Sequence, residues 1–273
     1  MTQGEVKMDK KKLNWTYSDD YFTKKTDVFK KVFPDAPDQK KTGTARSVAS
    51  QVDLGLLDYE TEYYETLRDN IVHGAKNRDE IPRLIALTGS DFGEGVSTIA
   101  SKLAVSFALN ADGPVLLVDS NFAKPAIHDV FGVPLSPGFG DVLQDGYDCM
   151  AAIKPSPIKN LFILPAGDIQ TNPTPKYDTP MFSALLQSLQ AEYRYVVFDT
   201  PPMQCDMNQC DMNSSVRLAG HLDGVILVLK TETVRREVAQ RVKERLINAN
   251  ANVIGVVLNR AKHYIPDWLY KRL

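Results

Sequence analysis

Leu84-Ile85-Ala86-Leu87-Thr88-Gly89-Ser90-Asp91-Phe92-Gly93-Glu94-Gly95-Val96-Ser97-Thr98 is the stretch that decides how this chain is read. The apolar run Leu84–Leu87 has the continuous character of a strand buried on both faces. It ends at Thr88, a glycine- and serine-rich turn follows, and a helix is expected from near Ser97. Strand, glycine turn and helix N-terminus form the setting of a phosphate-binding loop, in which backbone N–H groups and the helix dipole face an anion. Such a loop also needs a lysine for the terminal phosphates, followed by a hydroxyl for Mg²⁺. The hydroxyl is present at Ser97, but Val96 fills the lysine position. Taken alone, the loop has a competing reading: a tight connection whose glycines only permit close packing.

Outward from this loop the same alternation repeats. Apolar runs recur at Val115–Val118, Leu161–Leu164, Tyr195–Phe198, Val225–Leu229 and Val253–Leu258. Amphipathic helical patterns lie between them, one through Ile99, Leu103 and Phe107, another through Val238, Val242 and Leu246. A further helix is expected over residues 59–70, with Tyr64, Leu67 and Ile71 on one face. Repeated β–α alternation predicts an α/β domain, three layers deep and doubly wound on a mostly parallel sheet. We expect that domain over residues 58–273. Residues 1–57 lack either period, mix Lys with Asp, and hold Trp15, Tyr17, Tyr21 and Phe22. They are expected to be an extension, partly disordered or draped over the domain.

Composition excludes several classes. The 273 residues carry 32 Lys and Arg against 34 Asp and Glu, a net charge of −2. That balance gives no global attraction to nucleic acid or an anionic membrane, and no nucleic-acid partner is expected. Cys149, Cys205 and Cys210 suit a reducing compartment without disulfides, and no second Cys or His pair completes a zinc site. The four histidines show no ligand spacing. No apolar run approaches the roughly 20 residues of a membrane span, and the Lys-rich N-terminus is unlike a secretory signal. A cytoplasmic location is expected, with recruitment to the inner face of the cell membrane through a partner.

Two aspartates sharpen the reading of the loop. Asp119 closes the run Val115–Val118, and Asp199 closes Tyr195–Phe198 ahead of Thr200-Pro201-Pro202. Both fall at carboxyl ends of strands, where open α/β sheets bind ligands. An acidic group there can hold Mg²⁺ directly or through water; the bland alternative is that each caps its own turn.

With these pieces in place, the chain from Glu62 to its carboxyl terminus resembles the cytoplasmic domain of bacterial tyrosine autokinases of capsule and exopolysaccharide export. These share a P-loop class with partition and division-site ATPases. Gly93–Thr98 is similar to the family's Gly-Glu-Gly-Lys-Ser-Thr loop except at Val96. Val115–Pro125 resembles the second acidic motif, and Val196–Pro202 the third. Pro137–Leu143 and Leu164–Gly167 resemble linking segments. Val256–Arg260 resembles the segment whose asparagine, here Asn259, reads adenine. The resemblance implies a nucleotide site at Gly93, Glu94, Gly95, Val96, Ser97, Thr98, Asn259 and Arg260. It implies Mg²⁺ at Ser97 and Asp199, and catalytic positions at Asp119, Asn121 and Asp199. It also implies a membrane polysaccharide co-polymerase or chain-length adaptor as partner.

The departures fall on catalytic and assembly positions. Asn121 replaces an acidic residue that helps activate the acceptor hydroxyl, and an amide cannot take a proton as a carboxylate does. Val96 removes a cation that neutralises transferring phosphate charge. Ala123 and Lys124 stand where arginines are usual. The ring-packing pattern Glu-x-x-Arg-x-x-Arg becomes Glu62-x-x-Glu65-x-x-Arg68, so a monomer or dimer is expected instead of a ring. The tyrosine-rich tail shrinks to Tyr264 and Tyr270 as candidate phosphosites. We therefore expect a pseudokinase-like regulatory protein. The retained positions imply weak ATP or ADP binding with Mg²⁺, and a site without nucleotide is the equal alternative. Lys124 is the candidate substitute cation, and Lys102 is expected to face solvent. An active ATPase or autokinase with a rearranged site is the first competing function. A partition-type positioning ATPase is the second, disfavoured because residues 90–92 carry no lysine. The polar stretch Asp206–Ser215 is expected as a mobile loop. Ile265, Leu269 and Leu273 are expected to pack against protein in preference to a membrane.

Overall fold

The computed structural model describes residues 15–17, 61–74, 80–168, 177–203, 212–231 and 234–261. Its centre is an eight-stranded sheet. In chain order the strands are β1 (Trp15–Tyr17), β2 (Leu84–Gly89), β3 (Val115–Asp119), β4 (Lys154–Pro155), β5 (Leu161–Leu164), β6 (Tyr195–Asp199), β7 (Gly224–Lys230) and β8 (Val253–Asn259). Their order across the sheet is β1-β8-β7-β2-β6-β3-β5-β4. All pairings are parallel except β4 with β5. All six strands expected from the apolar runs are present, and β2, β3 and β6 are buried at every position. The short edge strands β1 and β4 carry no apolar run long enough to announce them. Trp15–Tyr17 lies within the expected extension and adds to the sheet alongside Val256–Leu258. The remainder of residues 1–57 lies outside the described residues, as do Tyr264, Tyr270 and the apolar tail positions.

The helices are α1 (Thr61–His73), α2 (Val96–Asn110), α3 (Ile127–Phe131), α4 (Phe139–Asp145), α5 (Cys149–Ala152), α6 (Pro180–Glu192), α7 (Met212–Ala219) and α8 (Arg236–Asn248). Alternation along the strands sorts them into two outer layers. Ile85, Leu87, Val197, Ile226 and Val228 pack with apolar residues of α1, α2 and α3. Ala86, Val196, Phe198, Leu227 and Leu229 pack with those of α4 to α8. The three-layer expectation holds.

The segment read as a mobile loop needs correction at its carboxyl end. Residues 212–215 open helix α7, and Ser214 and Ser215 are buried. The Ser215 hydroxyl donates to the Pro201 carbonyl at 2.9 Å, which ties α7 to the turn after β6. Polar composition misled because these serines are satisfied internally. Residues 206–211 lie outside the described set.

The two linking segments are partners of each other. The N–H groups of Phe139 and Gly140 donate to the carbonyls of Pro165 and Ala166, and Gly167 N–H donates to Leu135. The Asp141 carboxylate caps α4 by accepting from Gly138 N–H at 2.6 Å. Together these contacts fix the turn after β5 against the start of α4.

Candidate functional site

The loop after β2 leaves the sheet at its middle, because β2 lies between β6 and β7. The strand ends around it define the site. Gly93 and Gly95 sit at φ +79° and +89°, a left-handed conformation that glycine enters without steric cost. A Cβ on Gly95 would also run into the Asn259 side-chain amide. These two constraints shape the loop and leave α2 to begin at Val96.

A carboxylate inside the loop holds that shape. Glu94 is buried, and its oxygens accept from Ser90 N–H at 2.5 Å, Asp91 N–H at 2.9 Å and the Ser90 hydroxyl at 2.7 Å. Lys230 N–H, at the end of β7, approaches the same carboxylate at 3.4 Å. The Glu94 carbonyl accepts from Asn259 Nδ2 at 2.7 Å. Glu94 thus serves the loop's own architecture, its carboxylate engaged by Ser90 and Asp91. Ser90 and Lys230 were not among the residues singled out from sequence. Lys230 could have been found by the rule that found the aspartates: it ends an apolar strand run at the carboxyl edge.

Val96 is 8 % exposed and packs in the same core cluster as Ile99, Leu103 and Leu87. Its backbone stands at the helix N-terminus, where a first-turn N–H has no intrahelical acceptor. Its side chain is apolar bulk in the floor of the loop. Neither lysine considered as a substitute lies in that floor. The Lys102 ammonium sits 5.5 Å from the Tyr64 ring centroid, over a residue of α1, so the expectation that it faces solvent is replaced by a cation–π contact. Lys124 is exposed, and its backbone N–H closes the turn at Asn121.

Asp119 and Asp199 lie side by side, paired in register on β3 and β6. Their environments differ. Asp119 accepts from Asn121 N–H at 3.1 Å, Ala126 N–H at 3.0 Å and Ile127 N–H at 3.1 Å. It therefore caps the loop leading to α3, the role that was the bland alternative. Burial pushes its carboxyl up to about 6, against the pull of these N–H groups and of His128. Asn121 is buried too, with its side-chain oxygen facing Lys124 N–H at 3.3 Å. Asp199 is fully buried, and among the described residues neither carboxylate oxygen has a hydrogen-bond partner within bonding geometry. Burial, then repulsion from Asp119, raises its pKa well above the usual range, with the neighbouring Ser97 hydroxyl pulling it back. An orphaned, buried carboxyl beside a loop hydroxyl has the donor chemistry of a hard divalent cation.

The surrounding turns are tightly tied. The Thr200 hydroxyl donates to the Leu87 carbonyl, the Thr88 hydroxyl to the Pro201 carbonyl, and the Ser120 hydroxyl to the backbone carbonyl of Asp199. At the other end of the site, Asn259 is paired with Lys230 across β7 and β8. Its side-chain oxygen accepts from Arg260 N–H at 2.9 Å, and Arg260 is exposed at φ +57°. The structure thus brings together Gly93–Thr98, Asp119, Asn121, Asp199 and Asn259 at one edge. It places Glu62, Glu65 and Arg68 elsewhere, on α1. There the Arg68 guanidinium reaches Ser106 of α2 at 3.3 Å and Asp69 at 2.8 Å.

Tyrosine-protein kinase YwqD of Bacillus subtilis (strain 168) is 30% identical to this chain over 203 residues, 74% of this chain and 81% of that protein. The chain belongs to the bacterial tyrosine-protein kinase family. A crystal structure of the chimerical protein CapA2B2 aligns with 28% identity and a TM-score of 0.65, over 76% of this chain and 87% of that one. The fold extends to the septum site-determining protein MinD of Pyrococcus horikoshii OT3, solved with Mg-ADP. That alignment has 21% identity and a TM-score of 0.51 over 70% of this chain and 76% of MinD. No family model matches the chain. Among the described residues no helix is long and apolar enough to cross a membrane. In this chain a buried valine stands at the foot of the loop after β2.

Proposed function

We propose that this member of the tyrosine-kinase family is a pseudokinase: a regulatory component of capsule or exopolysaccharide assembly whose phosphoryl transfer is lost or weak. The burial of Val96 carries the reading. Its side chain belongs to the hydrophobic core of α2, so the position that a phosphate-neutralising ammonium needs is filled by hydrocarbon. Loss of such a cation costs transition-state stabilisation of several kcal/mol in phosphoryl-transfer sites. Two further observations support it. Asp119 is already committed to three backbone N–H groups, and Asn121 offers no proton acceptor of carboxylate strength.

Nucleotide binding of reduced strength is part of the proposal. The glycine conformations of the loop are retained, and Ser97 with Asp199 would hold Mg²⁺. Bound there, the ion neutralises phosphate oxygens. Asp199 would meet it as a buried carboxyl beside the Ser97 hydroxyl, giving up its proton on cation binding. Asn259 and Arg260 would flank the base. The protein would act at the inner face of the membrane by docking on a co-polymerase or chain-length adaptor, as a monomer or dimer.

Calorimetric titration of the purified chain with ATP and ADP, with and without Mg²⁺, tests the site. The expected result is weak, Mg²⁺-dependent binding that Val96→Lys strengthens about tenfold or more, the effect of one restored charge-assisted contact. Wild-type affinity matching that of the lysine variant would contradict the assigned role of Val96.

A further inference from the structure

We propose that Lys230 supplies, from the neighbouring strand β7, the cation that the phosphate loop has lost at Val96, and that it holds the polyphosphate of a nucleoside di- or triphosphate. This rests on the reading of the loop as a nucleotide site. Three observations place Lys230 beside the loop. Its backbone N–H approaches the Glu94 carboxylate at 3.4 Å. It is paired in register with Asn259, whose amide donates to the Glu94 carbonyl and crowds Gly95. Strand alternation then gives Lys230 the face it shares with Ile226 and Val228, the face covered by α2. Asn259 shares its own face with Val257, and its side chain does reach the start of α2.

Lys230 is partly buried at this edge, and no ion pair to it occurs among the described residues. The other lysines near the site are differently engaged: Lys102 lies over Tyr64 and Lys124 projects from the turn after β3. Asp119 and Asp199 end adjacent strands at this edge, and the Glu94 carboxylate is held inside the loop. A polyphosphate that brings Mg²⁺ to Asp199 adds negative charge beside these carboxyls, and a cation standing ready offsets it. A lysine on four flexible carbons, with its Cα fixed beside the loop, can place an ammonium there as a point charge. It would arrive from the flank nearer Asn259, not through the loop floor as the usual lysine does.

The test is ADP and ATP titration with Mg²⁺, by calorimetry, on the full chain and four variants. Lys230→Met is expected to weaken binding about tenfold or more, the loss of one charge-assisted contact. Lys230→Arg should stay within about threefold of wild type, because it keeps the charge. Lys154→Met removes the same charge from β4 at the far edge of the sheet and should leave affinity unchanged. Val96→Lys combined with Lys230→Met should recover affinity, since the loop then carries its own ammonium. Circular dichroism and melting of each variant separate misfolding from lost contact. Lys230→Met binding within about twofold of wild type overturns the assignment alone. A wild-type chain that binds neither nucleotide at millimolar concentration overturns the nucleotide site itself, and this assignment with it.

Discussion

At residue scale the chemistry of the site turns on Val96 and Asp199. The valine is comfortable: it packs with the α2 core and leaves nothing unsatisfied. The aspartate is not, since burial and the neighbouring Asp119 strongly disfavour its charged form. A carboxyl whose folded pKa is raised stabilises the fold when protonated, fully so below its unfolded value near 4, and that contribution is lost as pH rises through the folded value. Asp119, at about 6, and Asp199, raised further by burial and by Asp119, both act in this sense. In chelator, the melting temperature should therefore fall between about pH 4 and pH 7. Asp199→Asn should raise it at neutral pH and flatten the slope, and scanning calorimetry across that range checks both. An unchanged slope would mean that the pair is not strained.

The element scale shows what the sequence made legible and what it hid. Continuous apolar runs revealed every long strand, because a strand covered on both faces has no polar alternation to obscure it. The loop after β2 was legible from its glycines. The inward turn of Glu94 was not, because a carboxylate satisfied by backbone N–H groups and one serine looks in sequence like any exposed acid. Asp119 could be read as ligand or cap, and the three N–H groups it accepts from, invisible in sequence, show it capping the loop. Lys230 ends an apolar run as the aspartates do, but its tie to the loop runs through a strand distant in sequence. Another such contact lies at the opposite end of the sheet. The Arg83 guanidinium donates to the carbonyls of Gln190 at 2.5 Å, Tyr193 at 2.8 Å and Arg194 at 3.1 Å, closing the carboxyl end of α6. A cation there satisfies terminal carbonyls and complements the helix dipole. Arg83→Ala should destabilise the fold by about 2 kcal/mol, measurable by urea titration, with nucleotide affinity unchanged. A loss below about 0.5 kcal/mol would show the clamp to be energetically idle.

For the whole molecule, the question is assembly. The face of α1 that carries Tyr64, Leu67 and Ile71 is packed inward on α2, and Arg68 is bound to Ser106 and Asp69 of the same chain. Glu65 adds negative charge beside Glu62 on this helix, and a like-charged contact between copies opposes association. Multi-angle light scattering at micromolar concentration should give a monomer or dimer, and Glu65→Arg should shift the distribution toward larger species. A stable wild-type ring would contradict this assignment of α1.

The central claim is that the family scaffold persists here without effective phosphoryl transfer. The direct measurement is phosphotyrosine formation from radiolabelled ATP and Mg²⁺, with the purified chain and YwqD assayed side by side. The account predicts incorporation at or near background for this chain while YwqD labels. Labelling of the wild-type chain at a rate like that of YwqD would contradict it.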